Sequence, residues 1–208
     1  EIYMGDWSSD VCSSDLDAMQ ALDPTREHDA CGVGFVAHAS GSASHEVVQL
    51  ALGAVARVQH RGAASTDRSG DGAGLLTQLP HRFFRRDAYR LGLTLEPASP
   101  FAVGMLFLPA EPAALRAAID LVDGVLMEDG LGRIGWREVP TDPHALGPTA
   151  RASQPAIRQV FISRPARFSD DDEWERALFL ARREIERRAE DARLPGLYVV
   201  SLSARTIV

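Results

Sequence analysis

Residues 28–35 read HDACGVGF. The fold turns on whether Cys31 is a small buried thiol or the first residue of the working protein. Gly32 and Gly34 flank it and leave it sterically open, because a residue without Cβ lets another backbone or a substrate come close. The run Val33–His38 that follows is short, apolar and strand-like. For an arbitrary cysteine the buried reading prevails, so the residues further along decide.

Outward from this stretch, strand-like and helix-like apolar spacing alternate. The turn-rich ASGSAS precedes Ser44, a plausible N-cap. Val48, Ala51, Leu52, Val55 and Val58 then recur at helical spacing through Gln59. HRGAASTDRSGDGAG is a long glycine-rich loop, Leu75–Leu79 a strand, and Pro80 opens a short helix at N1 that runs to about Arg90. Phe101–Leu108 reads as a strand. Pro112 opens a helix with Leu115, Ile119, Val122 and Leu126 on one face. Ile134–Val139 and Ile157–Ile162 are strands joined by PTDPHALGPTARASQP. Ser169 with Asp172 forms a capping box for a helix from Asp170 to about Arg193. Trp174, Leu178, Ala181, Ile185 and Arg188 recur along that helix, and Glu184 with Arg188 makes an i,i+4 pair. Leu197–Leu202 is a last strand. The pattern predicts a layered α+β domain, with Val33–His38 and Leu75–Leu79 as neighbouring strands and the Val48–Gln59 helix packed on their sheet.

The chain has 208 residues, 45% of them hydrophobic, enough for one globular domain with a sizeable core. Its net charge is −7, its basic residues are all arginine, and it contains no asparagine. Acidic and basic residues are interspersed, which argues against a nucleic-acid footprint. No apolar run approaches ~20 residues, so no membrane span is expected. The polar start EIYMGDWSSD is not a signal peptide. The two cysteines, Cys12 and Cys31, are expected as reduced thiols in the cytoplasm. Residues 1–20 lack a sustained period and read as a disordered tail. SSDV at 8–11 is nearly repeated as SSDL at 13–16, in a stretch that resembles translated adapter sequence up to about residue 16.

Three motifs carry no function. GVGFVA, from Gly32 to Ala37, matches G-x-G-x-x-A, but that fingerprint needs a strand before it and a helix after it. Asp67, Ser69, Asp71 and Gly72 resemble the start of a calcium loop, yet Gln78 stands where the bidentate Glu belongs; a turn held by Asp and Gly explains them better. The six histidines show no zinc spacing, so no metal is expected.

EHDACGVGFVAH, ARVQHRGAASTD and SGDGAGLL, in that order, resemble the N-terminal glutaminase domain of the glutamate synthase large subunit. GWREVPTDPHALGPTARASQPAIRQVFI and SLSARTIV resemble the same domain further along. The resemblance runs from about residue 21 to the end. It implies a type 2 glutamine amidotransferase with the N-terminal-nucleophile four-layer αββα sandwich. Residues 1–30 are then a propeptide or tail, and 31–208 the N-terminal part of the domain. Cleavage between Ala30 and Cys31 would make Cys31 the first residue of the mature chain.

The implied chemistry is coherent. A thiol titrates near ~8.5 and an α-amine near ~7.7–8.0, so a cleaved Cys31 carries a nucleophile and its base in one residue. The thiolate attacks the side-chain amide of L-glutamine, ammonia leaves, and water hydrolyses the γ-glutamyl thioester. Arg61 resembles the family arginine that pairs with the glutamine α-carboxylate, for which a guanidinium fork is suited. The plain alternative is an exposed arginine at a helix end. His60 and Asp71 are further substrate-site candidates, and either can instead simply hold the loop.

In the family the pattern continues into segments that supply an oxyanion-hole asparagine, whose loss costs ~10²–10³ in kcat. With no Asn, this chain is expected to be a C-terminally truncated piece that by itself turns over glutamine poorly. The resemblance further implies FMN and an iron–sulfur cluster in a synthase portion outside this chain, ammonia passing to that portion, and a small subunit as a partner in some enzymes. Two alternatives stay open: the glutaminase part of another type 2 enzyme such as amidophosphoribosyltransferase, and a non-catalytic α+β module in which Cys31 is merely buried.

Overall fold

The structure, a computed structural model, describes residues 2–6, 32–58, 66–67, 69–70, 72–95 and 99–208. In chain order its elements are β1 (Ile2–Asp6), β2 (Gly34–His38), α1 (His45–Arg57), β3 (Thr77–Gln78), α2 (His81–Arg90), β4 (Phe101–Leu108) and α3 (Pro112–Glu128). There follow β5 (Gly132–Glu138), a 3-10 turn at Pro143–Ala145, α4 (Pro148–Ala152), β6 (Ala156–Ser163), α5 (Asp171–Asp191), β7 (Tyr198–Ser203) and β8 (Thr206–Ile207). They fall into two units, residues 1–75 with 146–150, and residues 76–145 with 151–208. Every strand pairing among the described residues is antiparallel, and the fold is α+β.

The second unit is built on the sheet β5-β6-β4-β7. Side chains alternate across its faces, as the period of two demands. Ala102, Leu106 and Leu108 of β4 and Val160 and Ile162 of β6 point to one side. There they are buried with Val122 and Leu126 of α3 and Trp174, Leu178 and Ile185 of α5. Phe101, Val103 and Phe161 point to the other side and meet Phe84 of α2, Leu79 and Ile207. Each such side chain contributes about 1.5–3 kcal/mol on full burial, so this double-faced sheet dominates the stability of the unit. Gly104 lets the layer close. A Cβ there would lie 2.8 Å from Val160 Cγ1 and 2.9 Å from Leu202 Cδ1.

The helices start and stop for identifiable reasons. Glu111 caps α3 by accepting from the backbone N–H groups of Ala113 (2.9 Å) and Ala114 (2.7 Å), which hold its carboxyl below the usual range. Pro112 occupies the first turn, where its missing N–H costs nothing. The helix ends at Gly130, which takes φ +60° as a C-terminal glycine commonly does, and Leu131 N–H returns to Leu126 O at 2.7 Å. On α5, Glu184 accepts from Arg187 (2.7 Å) and Arg188 (2.6 Å), and these two guanidinium groups pull its carboxyl down to about 2. Arg188 also reaches Glu128 of α3 at 2.5 Å, tying the two helices together at the surface.

Several expectations need correction. Residues 2–6 are not tail-like. They form β1, paired with β2 from Ile2↔His38 to Asp6↔Gly34, a backbone interaction that leaves no periodic trace in so short a segment. β3 spans only two residues and pairs with β8, not with β2; Arg205 O accepts from Leu79 N–H (2.7 Å) beside that short ladder. Pro80 sits at the N-cap of α2, one place earlier than N1. Asp170, not Ser169, caps α5, accepting from Asp172 N–H at 3.0 Å. None of the residues of α1 is buried among the described residues, although the helix was expected to pack on a sheet.

Candidate active site

The four residues singled out by sequence, Cys31, His60, Arg61 and Asp71, lie outside the described residues. The elements that flank them are described and belong to the first unit. β2 begins three residues after Cys31. Because Gly34–Ala37 lies inside this antiparallel strand, the GVGFVA stretch is not a phosphate loop between a parallel strand and a helix. β2 ends in a tight turn. Gly41 N–H donates to His38 O (2.8 Å) with Gly41 at φ +70°, and Ser40 N–H donates to His38 Nδ1 (3.2 Å).

Ser44 caps α1, as its sequence suggests, accepting from Val47 N–H at 3.3 Å. At the other end Val58 N–H is shared between Ala54 O (3.2 Å) and Val55 O (3.3 Å). That closes the helix immediately before the Gln59–Arg61 segment.

The densest polar constellation of this unit lies in the loop between Arg61 and Asp71. Asp67 Oδ1 accepts from Ser69 N–H (2.9 Å), and Asp67 Oδ2 accepts both the Ser69 hydroxyl (2.9 Å) and Thr149 N–H (3.0 Å). Ser69 Oγ in turn accepts from Ala150 N–H (3.0 Å). Thr149 and Ala150 open α4, so two of its otherwise orphaned N–H groups are satisfied by side chains about eighty residues away in sequence. The backbones approach so closely at Gly147 that a Cβ there would lie within 2.6 Å of Asp67 O, Ser69 Oγ and Ser69 N. Sequence reasoning took Asp67 and Ser69 as turn residues, which they are, and missed their second role. The available signal was Gly147-Pro148. A helix opened by proline directly after glycine has no side chain of its own at the cap and needs one from elsewhere.

In the second unit, a cleft of about 380 Å³ is lined by Arg85, Tyr89 and the turn Gly92–Leu95. Arg85 donates to Ser99 O at 2.8 Å and so shapes the loop that borders the cleft. Arg137 is buried, donating through Nε to Asp87 and through Nη1 to Gln159 Oε1 (2.9 Å). Among the described residues no group of three or more His, Cys, Asp or Glu could hold a metal ion, and no helix is long and apolar enough to cross a membrane.

Residues 31–208 match the family model of the class-II glutamine amidotransferases. Among curated proteins, ferredoxin-dependent glutamate synthase 2 of Synechocystis is 40% identical over 184 residues, covering 88% of this chain and 11% of that protein. Ferredoxin-dependent glutamate synthase 1 of Arabidopsis thaliana is 37% identical, covering 95% of this chain and 13% of its own length. The glutamate synthase [NADPH] large chain of Azospirillum brasilense is 34% identical, covering 100% of this chain and 14% of its own length. The chain therefore spans roughly an eighth of these relatives.

Proposed function

The chain belongs to the class-II glutamine amidotransferases, and from that premise we propose that it is the glutaminase part of a glutamate synthase, with Cys31 as the nucleophile. The observation that carries this is the family match, which begins at residue 31 itself. The relatives, all named as glutamate synthases, favour that assignment over another type 2 amidotransferase. Residues 1–30 are then removed by cleavage at Ala30–Cys31. The new α-amine takes the thiol proton. The thiolate adds to the glutamine amide carbon, and the tetrahedral intermediate collapses with release of ammonia, its nitrogen protonated as the C–N bond breaks. Water then cleaves the thioester to glutamate and regenerates the thiol. Arg61 binds the α-carboxylate of L-glutamine, and His60 and Asp71 line the same pocket.

The rest of the synthase receives the ammonia and carries the FMN and the iron–sulfur cluster. With Cys12 and Cys31 as its whole complement, this chain falls short of the cysteine set such a cluster uses. A cytoplasmic location suits a reduced catalytic thiol, and the remaining synthase domains, with a small subunit in NADPH-dependent forms, are the partners. No nucleic acid and no membrane take part. The experiment is Cys31→Ser in the full-length synthase chain carrying this sequence. Glutamine-dependent glutamate formation is expected to vanish while ammonia-dependent formation persists. Loss of both activities, or retention of both, would overturn the assignment.

A further inference from the structure

We propose that Asp67 and Ser69 are positioning residues for the glutamine pocket, holding the loop that carries Arg61 and Asp71 by docking it onto the Gly147–Ala150 turn. The proposal rests on the glutaminase reading above and adds to it the residues that fix its binding loop.

The argument begins with the loop itself. From Gln59 to Leu75 the chain contains Gly62, Gly70, Gly72 and Gly74. Glycine loses more conformational freedom on ordering than any other residue. A pocket built on such a loop binds weakly if ligand binding must also order it, because the apparent affinity falls with the fraction of loop in the competent state. Something must order the loop beforehand.

The structure supplies the device. Asp67 and Ser69 exchange two hydrogen bonds with each other, which fixes the turn. They then spend their remaining acceptor capacity on Thr149 N–H and Ala150 N–H. The first of these is charge-assisted, and donors at the start of a helix carry the positive end of its dipole. Gly147 provides the close approach that makes both bonds possible. Ser69 is buried, so water competes poorly for its hydroxyl. Arg61 lies six residues before Asp67 and Asp71 two residues after Ser69, so the docking point sits between the two candidate substrate contacts and limits the reach of both.

The test uses the full-length synthase chain with Ser69→Ala, Asp67→Asn and Gly147→Ala. Ser69→Ala deletes one oxygen and is the mildest. Asp67→Asn keeps an acceptor for Ser69 N–H but loses the one facing Thr149. Gly147→Ala forces the two backbones apart without touching either side chain. Each should raise KM for glutamine about tenfold, the effect of a competent loop falling to roughly a tenth of the population. At saturating glutamine kcat should stay within about twofold, since bound substrate restores the competent loop. Ammonia-dependent glutamate formation should be unchanged, and hydrogen exchange at the Thr149 and Ala150 amides should accelerate. Asp67→Asn with Ser69→Ala should be little worse than either alone, because both release one clamp. Unchanged KM in all three variants despite faster exchange would overturn the proposal. So would glutamine- and ammonia-dependent rates falling together, the mark of general destabilisation. A parent enzyme that consumes no glutamine would instead defeat the glutaminase reading; normal consumption with indifferent variants defeats only the clamp.

Discussion

Asp87→Ala should destabilise the second unit more than its surface position suggests. The side chain of Arg137 is 10% exposed and that of Asp87 20%. The guanidinium donates Nε–H to Asp87 and Nη1–H to Gln159, and lies 5.7 Å from the centre of the Phe83 ring. Removing the carboxylate leaves a desolvated cation with one neutral acceptor and one aromatic face. Breaking a fully buried pair in this way costs about 3–5 kcal/mol. Water can reach the edge of this one, so about 2–3 kcal/mol is expected. Arg137→Met removes the charge together with its desolvation cost and keeps most of the apolar stem, so the double variant Asp87→Ala/Arg137→Met should be more stable than Asp87→Ala alone. Urea unfolding followed by tryptophan fluorescence measures each step, provided the m-value is constant. The reasoning is refuted if Asp87→Ala lies within about 0.5 kcal/mol of the parent, the usual range of an inert surface change. It is refuted equally if the double variant is the least stable of the set.

Gly104→Ala should cost about 1–3 kcal/mol by overpacking against Val160 and Leu202. The opposing gain from a stiffer unfolded chain is only about 0.4–1 kcal/mol, so the midpoint of thermal unfolding should fall, and an unchanged midpoint would contradict the packing described. Asp123→Asn should go the other way. Burial raises the Asp123 pKa, opposed by the hydrogen bond from Trp136 Nε1 (3.0 Å) and by Arg133. A carboxyl whose folded pKa is raised costs stability when ionised, so at neutral pH the asparagine variant, which keeps an acceptor for Trp136, should be at least as stable as the parent. That advantage should shrink as pH falls through the folded pKa of Asp123 and the parent carboxyl takes up its proton; urea midpoints across the acid range show whether it does.

The second unit was legible in the sequence because its elements are long and strongly periodic. The limits of β4 match the apolar run Phe101–Leu108 residue for residue, and the buried row Trp174, Leu178, Ala181, Ile185 of α5 is the row its helical spacing implies. Where several residues could serve one purpose, sequence could not choose among them. Ser169, Asp170, Asp171 and Asp172 are all capable caps, and chain geometry selected Asp170. Pairing was the least legible. β1 with β2 and β3 with β8 join through backbone groups common to every sequence, over five and two residues. The contact of Asp67 and Ser69 with the Gly147–Ala150 turn spans some eighty residues and shows locally only as turn residues and a Gly-Pro pair. The candidate nucleophile was legible for a different reason. It stands in the first of several ordered motifs, and the family match starts on it.

The central claim is that glutamine is attacked by the sulfur of an N-terminal Cys31. The full-length chain should be treated with a glutamine-mimicking electrophile such as a γ-diazoketone analogue, then read by N-terminal sequencing and mass-spectrometric mapping of the adduct. The account predicts a chain that begins at Cys31 and carries the label on that residue's sulfur. A label on any other residue, or glutamine turnover by protein in which the Ala30–Cys31 bond is intact, would contradict it.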